Sequence, residues 1–377
     1  MKTFIHNILH RYHLKDYKFS LVVLVLAISV IGVFIVGSAQ ASSQGKQAMG
    51  VIMGLAAMAV ISLIDYEWVL NNFYWLMYAA NIILLFAVLL FGENINGATR
   101  WLNLGFVQFQ PSDLTKIITV LFYAKFLTKY EHSINKIRFI CISVALMLPS
   151  LALIFKQPNL SNTICLGMLF CVLMFMGGLS YKYIRNIIAV FVPLAAVLFI
   201  IVIQPNQPLI HDYQQNRILA WLEPEKYESE EAYQQLNSIM AIGSGQLTGK
   251  GYNNSATTSV KNGKFISEPQ TDFIFAIIGE ELGFVGCCVV IILLLLIVID
   301  CILIGMKAKD EAGRIICAGV AALIGIQSFI NISVATMLFP NTGISLPFIS
   351  YGMTSVVCFY MGIGFVLNVG LQPNKYQ

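Results

Sequence analysis

Charge is what this chain has least of. Only 11% of its 377 residues are Asp, Glu, Lys or Arg, against about 25% in a soluble domain. Too few charges are present to clothe an ordinary soluble fold. The basic excess is small, with a formal net charge of +4, so nothing points to a nucleic-acid partner. Low-complexity tracts are missing, as are repeats of about 20–50 residues that would mark a solenoid. Cysteine supplies no framework either. Cys141, Cys165, Cys171, Cys287, Cys288, Cys301, Cys317 and Cys358 fall almost wholly in apolar runs, and none forms a C-x-x-C pair. That pattern excludes a disulfide scaffold and a zinc site. The thiols read as small buried hydrophobes.

What is present is hydrocarbon. Hydrophobic residues make up 58% of the chain, and mean hydropathy is +0.76. A membrane helix needs about 20 mostly apolar residues. Ten such stretches are expected, at 19–38, 48–65, 72–91, 112–130, 138–155, 163–180, 184–203, 273–305, 312–338 and 347–369. The expected fold is therefore an all-α polytopic membrane protein, one domain over 1–377, with a long loop between the seventh and eighth spans. Lys15 and Lys18 precede the first run, and Ala39-Gln40-Ala41 has the look of a signal-peptidase site. Further apolar spans follow, so the first run reads as a retained helix.

Ten spans put both termini on one side, and the positive-inside rule chooses the side. With cytoplasmic termini, the inner segments hold 14 of the 23 Lys and Arg residues, among them Lys125, Lys129, Lys136, Arg138, Lys182, Arg185, Lys307, Lys309 and Arg314. The loop 204–271 then lies outside, together with Asp272. A connection of that length is usually functional. Its stretch Gly243-Ser244-Gly245-Gln246-Leu247-Thr248-Gly249-Lys250-Gly251 does not satisfy the G-x-x-x-x-G-K-[ST] phosphate loop, which wants Gly at Ser244 and Ser or Thr at Gly251. It reads as flexible or close-approach backbone.

Ionisable groups at membrane depth are functional candidates. Arg100 precedes Gln110-Pro111-Ser112-Asp113-Leu114-Thr115-Lys116. Pro111 suits the first turn of a helix, which makes Asp113 and Lys116 neighbours on one face. Two readings are even: a snorkelling Arg100 with an intrahelical Asp113–Lys116 pair, or Arg100 and Lys116 gripping a phosphate at the outer interface. The turn Lys156-Gln157-Pro158-Asn159-Leu160-Ser161-Asn162-Thr163 is explained by turn chemistry. The run from Phe273 to Gly305 would be about 50 Å long as one helix, against a hydrocarbon core of about 30 Å. It must protrude, break or line a cavity, and Gly283 and Gly286 mark places to bend. Asp272 at its mouth fits a helix cap. Glu280 and Glu281 need a polar cavity or a basic partner, with Lys116 or Arg100 as candidates.

Together these motifs resemble the SEDS family (shape, elongation, division and sporulation), which includes RodA, FtsW and SpoVE. The resemblance runs along nearly the whole chain: Asn96–Trp101, Gln110–Lys116, Asp212–Arg217, Ala241–Gly251, Glu268–Gly283 and Pro340–Gly352. Departures are Asp113 for the usual Glu, Asn159 and Ser161 in place of Asp and Gly, Gln246 for Gly, Gln270 for His, and the order Glu268-Pro269. The resemblance implies a peptidoglycan glycosyltransferase that polymerises lipid II at the outer face of the bacterial cytoplasmic membrane. It implies a class B penicillin-binding protein as partner, among other elongasome or divisome proteins. The family's essential aspartate matches Asp272, expected to act as general base. Arg100, Gln110, Asp113, Lys116, Arg217, Glu268 and Ser350 are the expected substrate-binding residues. No ligand cluster demands a metal, although a divalent cation suits such a site. The other functions a ten-span protein with a polar cavity can serve are a lipid II flippase and a non-catalytic scaffold for the transpeptidase.

Overall fold

A computed structural model describes residues 17–372, except 96–97, 104, 106–107, 205–206, 208–209, 211, 227–231, 254–258, 260–262 and 264. Lys15, Asn96 and Gly97 lie outside the described residues.

The chain is helical almost throughout. Ten long helices appear among the described residues: α1 (Phe19–Ala39), α2 (Ala41–Leu63), α3 (Tyr66–Phe91), α4 (Pro111–Lys129), α5 (Ile137–Lys156), α6 (Leu160–Met176), α7 (Tyr181–Ile203), α10 (Ile274–Met306), α11 (Glu311–Ala335) and α12 (Met353–Gly370). Two shorter helices, α8 (Asp212–Leu222) and α9 (Tyr233–Ser244), lie in the long loop. Seven of the ten are long and apolar enough to cross a membrane by themselves, and α6 is a shorter apolar helix. This is a multi-pass membrane protein.

Between α3 and α4 the chain forms a small antiparallel sheet, β1 (Glu93–Ile95), β2 (Ala98–Asn103) and β3 (Gln108–Phe109), in the order β1-β2-β3. Hydrophobic patterning had no signal for it. The last span was expected from 347, yet the helix begins at Met353. Residues 347–352 cannot be helical because Phe348 has φ of +64°. Their polar groups also point elsewhere. Tyr351 N–H donates to Gln270 O at 2.8 Å, and Gln47 Nε2 donates to Ser350 O at 3.2 Å.

Helix α4 is the least apolar span and the most enclosed. It carries Asp113, Lys116, Lys125 and Lys129, and fifteen of its nineteen residues are buried. It packs against α3, α6, α11 and α12. Its polar face therefore meets protein, where partners exist, instead of lipid. Pro111 occupies its first position, where a missing N–H costs nothing.

Two ends of the bundle are distinct. At one end, Arg100 donates to Pro158 O, Ser161 to Thr342 O, and Trp221 Nε1 to Met337 O at 3.0 Å. At the other, Tyr66 donates to Asp310 at 2.8 Å, Gln372 to Asp65 at 3.4 Å, and Asn135 to Gly178 O at 3.2 Å. The sheet, the long loop and Asp272 all belong to the first end. Helix α9 is fastened there too. Gln235 and Ser238 donate to Val334 O (3.1 Å) and Ala335 O (2.7 Å), which satisfies carbonyls left over at the end of α11.

Helix α10 is broken where its length required. Gly283 has φ +66° and ψ −163°, outside the helical region, a conformation that favours glycine. A break strands backbone groups that hydrocarbon cannot satisfy. Here the glycine-rich turn satisfies them. Lys250 N–H and Gly251 N–H donate to Glu280 O (2.9 Å) and Glu281 O (3.1 Å). Phe284 N–H and Val285 N–H donate to Gln246 O (2.9 Å) and Leu247 O (3.1 Å). The turn is thus close-approach backbone, and Gly249, at φ +81°, lies directly against Glu281 and Gly283.

The two acids at the break also find partners, though not the expected ones. Glu280 pairs with Lys250 at 2.9 Å and accepts from Ser259 at 3.2 Å. Glu281 accepts from Ser38 on α1. Lys116 and Arg100 are occupied elsewhere, so Lys250, from the turn docked on the break, is the basic partner. Lys250 is 27% exposed against 2% for Glu280, so water softens the loss of the pair. Lys250→Met is expected to lower stability by about 1–2 kcal/mol, read as a fall in melting temperature in detergent. An unchanged melting temperature would remove the pair from the forces holding the break.

Candidate active site

Asp272 lies one residue before the cap position of α10. That cap is Phe273, with no side-chain cap bond, so the expectation that Asp272 caps the helix is corrected. Its carboxylate faces the other way, toward Gly343, where an added Cβ would stand 3.2 Å from Asp272 Oδ2. The side chain is half-buried.

The main chain around Asp272 is pinned. Three successive carbonyls each accept a bond from a different group. Tyr351 N–H donates to Gln270 O at 2.8 Å, Ser350 Oγ to Thr271 O at 2.7 Å, and Asn331 Nδ2 to Asp272 O at 2.8 Å. Ser350 also accepts from Leu346 N–H at 2.7 Å. It is 2% exposed, so in this conformation it acts on the backbone. Upstream, Glu268 O accepts from Thr271 N–H (3.2 Å) and Thr271 Oγ1 (2.9 Å), and the exposed Glu268 carboxylate accepts from Gln270. A side chain on a backbone held this way keeps its position, as a catalytic group requires.

Burial raises the Asp272 carboxyl above the usual carboxylate range. The guanidinium groups of Arg217 and Arg100 pull it back down, and the Glu268 carboxylate adds a smaller upward push. Arg217 comes from α8 and Arg100 from β2, so the long loop and the small sheet each bring one cation to the acid. A carboxylate raised by burial and held beside two cations is suited to general-base work.

The other expected site residues divide. Arg100 donates to Pro158 O, which ties β2 to the turn before α6. Asn159 accepts from Asn162 N–H at 3.4 Å and caps α6. Ser161 reaches Thr342 O, so this turn also secures the loop beside Asp272. Gln110 stands at the cap position of α4. Asp113 and Lys116 form the expected pair at 2.9 Å, but Lys116 is 2% exposed and also donates to Gln327 at 3.1 Å. The structure therefore gathers Asp272, Arg217, Arg100 and Glu268, and sets Lys116 and Asp113 in the bundle interior. Sequence reasoning missed Asn331 and Gln327. The signal was available: two amides four residues apart in an apolar helix. Among the described residues no group of three or more His, Cys, Asp or Glu side chains is placed to hold a metal ion.

Residues 9–375 match the profile of a family described as cell cycle protein, FtsW/RodA/SpoVE. The chain is 31% identical over 388 residues to a probable peptidoglycan glycosyltransferase FtsW of Geobacter metallireducens, covering 96% of this chain and 98% of that one. It is 31% identical over 353 residues to the Escherichia coli peptidoglycan glycosyltransferase MrdB, covering 93% and 92%. Among solved structures it is similar to a chain from a study of how a peptidoglycan synthase complex coordinates polymerization and crosslinking, with TM-score 0.78, 27% identity and coverage of 94% and 97%. It is also similar to the rod shape determining protein RodA of Thermus thermophilus, with TM-score 0.69, 26% identity and coverage of 94% and 96%.

Proposed function

The chain belongs to the FtsW, RodA and SpoVE family of cell cycle proteins, and from that premise we propose that it is a peptidoglycan glycosyltransferase that polymerises lipid II at the outer face of the bacterial cytoplasmic membrane. Both termini lie in the cytoplasm on this reading, by the distribution of basic residues. The observation that carries it is Asp272: a carboxylate on a pinned backbone, with two guanidinium groups acting on it.

Asp272 takes the proton from the 4-hydroxyl of the acceptor GlcNAc as that oxygen bonds to the anomeric carbon of the donor. The bond from that carbon to the lipid pyrophosphate breaks, and the pyrophosphate leaves with the electron pair. Attack opposite the leaving group inverts the anomeric centre. Negative charge grows on the pyrophosphate, and Arg217 and Arg100 are the cations best placed to meet it. The partner is a class B penicillin-binding protein transpeptidase. Support comes from the similar chain, which belongs to a complex that couples polymerization to crosslinking. The decisive assay gives the purified protein lipid II in detergent, where no sidedness exists. Glycan strands are the expected product. Their absence with an intact partner present favours transport.

A base works only when ionised, so the rate falls as pH drops through the Asp272 pKa. Arg217 lowers that pKa, so Arg217→Gln raises it. The acid limb of the kcat/KM profile is expected to move to higher pH in that variant. A limb that stays in place would separate Arg217 from the base.

A further inference from the structure

Gln327 and Asn331 stand one turn apart on the same face of α11. Each is 1% exposed. Both reach the segment 343–345, which forms the wall beside Asp272. Gln327 Nε2 donates to Ser345 O (3.2 Å) and Ser345 Oγ (3.3 Å), while its Oε1 accepts from Lys116 Nζ at 3.1 Å. Asn331 Nδ2 donates to Ile344 O at 2.6 Å and to Asp272 O at 2.8 Å.

These amides are a poor choice for stability alone. Asn331 Oδ1 is buried with no hydrogen-bond partner among the described residues, at a cost of about 1–3 kcal/mol. A leucine would fill the space without it. What the amides fix is relative position. Asn331 joins the main chain of Asp272 to that of Ile344, and Gly343 abuts the Asp272 carboxylate. Gln327 ties the next residue of the same segment to the interior pair Lys116–Asp113. Lys116 is buried and its ammonium is held by Asp113 and Gln327, so it is not presented to a phosphate in this conformation.

We propose that Gln327 and Asn331 are positioning residues for Asp272, and that Lys116 with Asp113 acts through Gln327 instead of gripping a substrate phosphate. This rests on the glycosyltransferase reading, and it takes Lys116 out of the expected substrate contacts.

Gln327→Glu separates the two bonds. It keeps an acceptor for Lys116 and loses the donors to Ser345. Asn331→Leu removes the Asp272–Ile344 bridge at similar volume. Asp113→Asn/Lys116→Gln neutralises the pair without leaving a lone buried charge. Each full-length variant is titrated with lipid II in detergent, and amide hydrogen exchange is followed over 266–275 and 340–350. The expected result is a kcat lower by tenfold or more with KM within twofold, and faster exchange in both segments for Gln327→Glu and Asn331→Leu. A raised KM with unchanged kcat in the Asp113→Asn/Lys116→Gln variant would return Lys116 to the substrate. Unchanged kcat and exchange in Gln327→Glu would overturn the positioning role, and that variant decides the matter if Asn331→Leu does not fold. If the wild-type protein makes no polymer, the glycosyltransferase reading fails, and exchange alone still decides whether the two amides hold the segments together.

Discussion

Asp272→Asn is expected to lower the rate of lipid II polymerisation by about 10²–10⁴-fold, the usual contribution of a positioned base. An amide of the same shape cannot take the proton. The bonds that hold this stretch involve main-chain carbonyls, so they survive the change. The sign of the stability effect is also defined. Burial raises the Asp272 pKa in the folded state, so the folded protein holds the ionised form less well than the unfolded chain does. That penalty is present above the folded pKa and fades as pH falls through it. A neutral Asn escapes it, so melting temperature at neutral pH is expected to be equal or higher. Activity within threefold of wild type would end the assignment of Asp272 as base. A loss of activity with a lower melting temperature would assign the residue to structure instead.

Gly283→Ala is expected to be the most destabilising Gly→Ala change in α10. The residue sits at φ +66° and ψ −163°, a region essentially reserved to glycine, where another residue costs about 1–3 kcal/mol. The new Cβ also has nowhere to go, since it points at Gly249 N and Leu247 O. Overpacking backbone of this kind adds about 1–3 kcal/mol, for a total of about 2–6 kcal/mol. Gly243→Ala makes the control, because its Cβ would meet nothing within 4 Å and a helical Gly→Ala change is usually neutral or stabilising. If both variants melt together with wild type, the turn is not packed on the break.

The sequence carried the fold well where hydrophobic length decides it. Ten long helices appear in their expected order among the described residues, and the excess length of the run after Asp272 called for a break that Gly283 provides. It failed where backbone satisfies backbone. Residues 347–352 look like the start of a helix, yet their groups serve Gln270 and Gln47, and no local pattern encodes a partner across the fold. At the candidate site, Arg100, Arg217, Glu268 and Asp272 were legible as motif positions, but which cations reach the acid was not. That depends on where α8 and the β2 strand fold back. Lys116 shows the same limit. Its neighbour Asp113 was legible as an i, i+3 pair, whereas Gln327, far along the chain, was not.

The broken helix also has a consequence for how the chain is made. The groups that satisfy the break belong to Gln246, Leu247, Lys250 and Gly251, and all of these leave the ribosome before Gly283 does. The mould for the break is therefore synthesised ahead of the part it shapes. On the topology proposed here, that mould must already have crossed to the outer side when α10 inserts. Without the turn, the backbone groups at the break stay unsatisfied in hydrocarbon. Insertion of α10 and assembly of the end that carries Asp272 thus become one event, in an order set by the direction of translation.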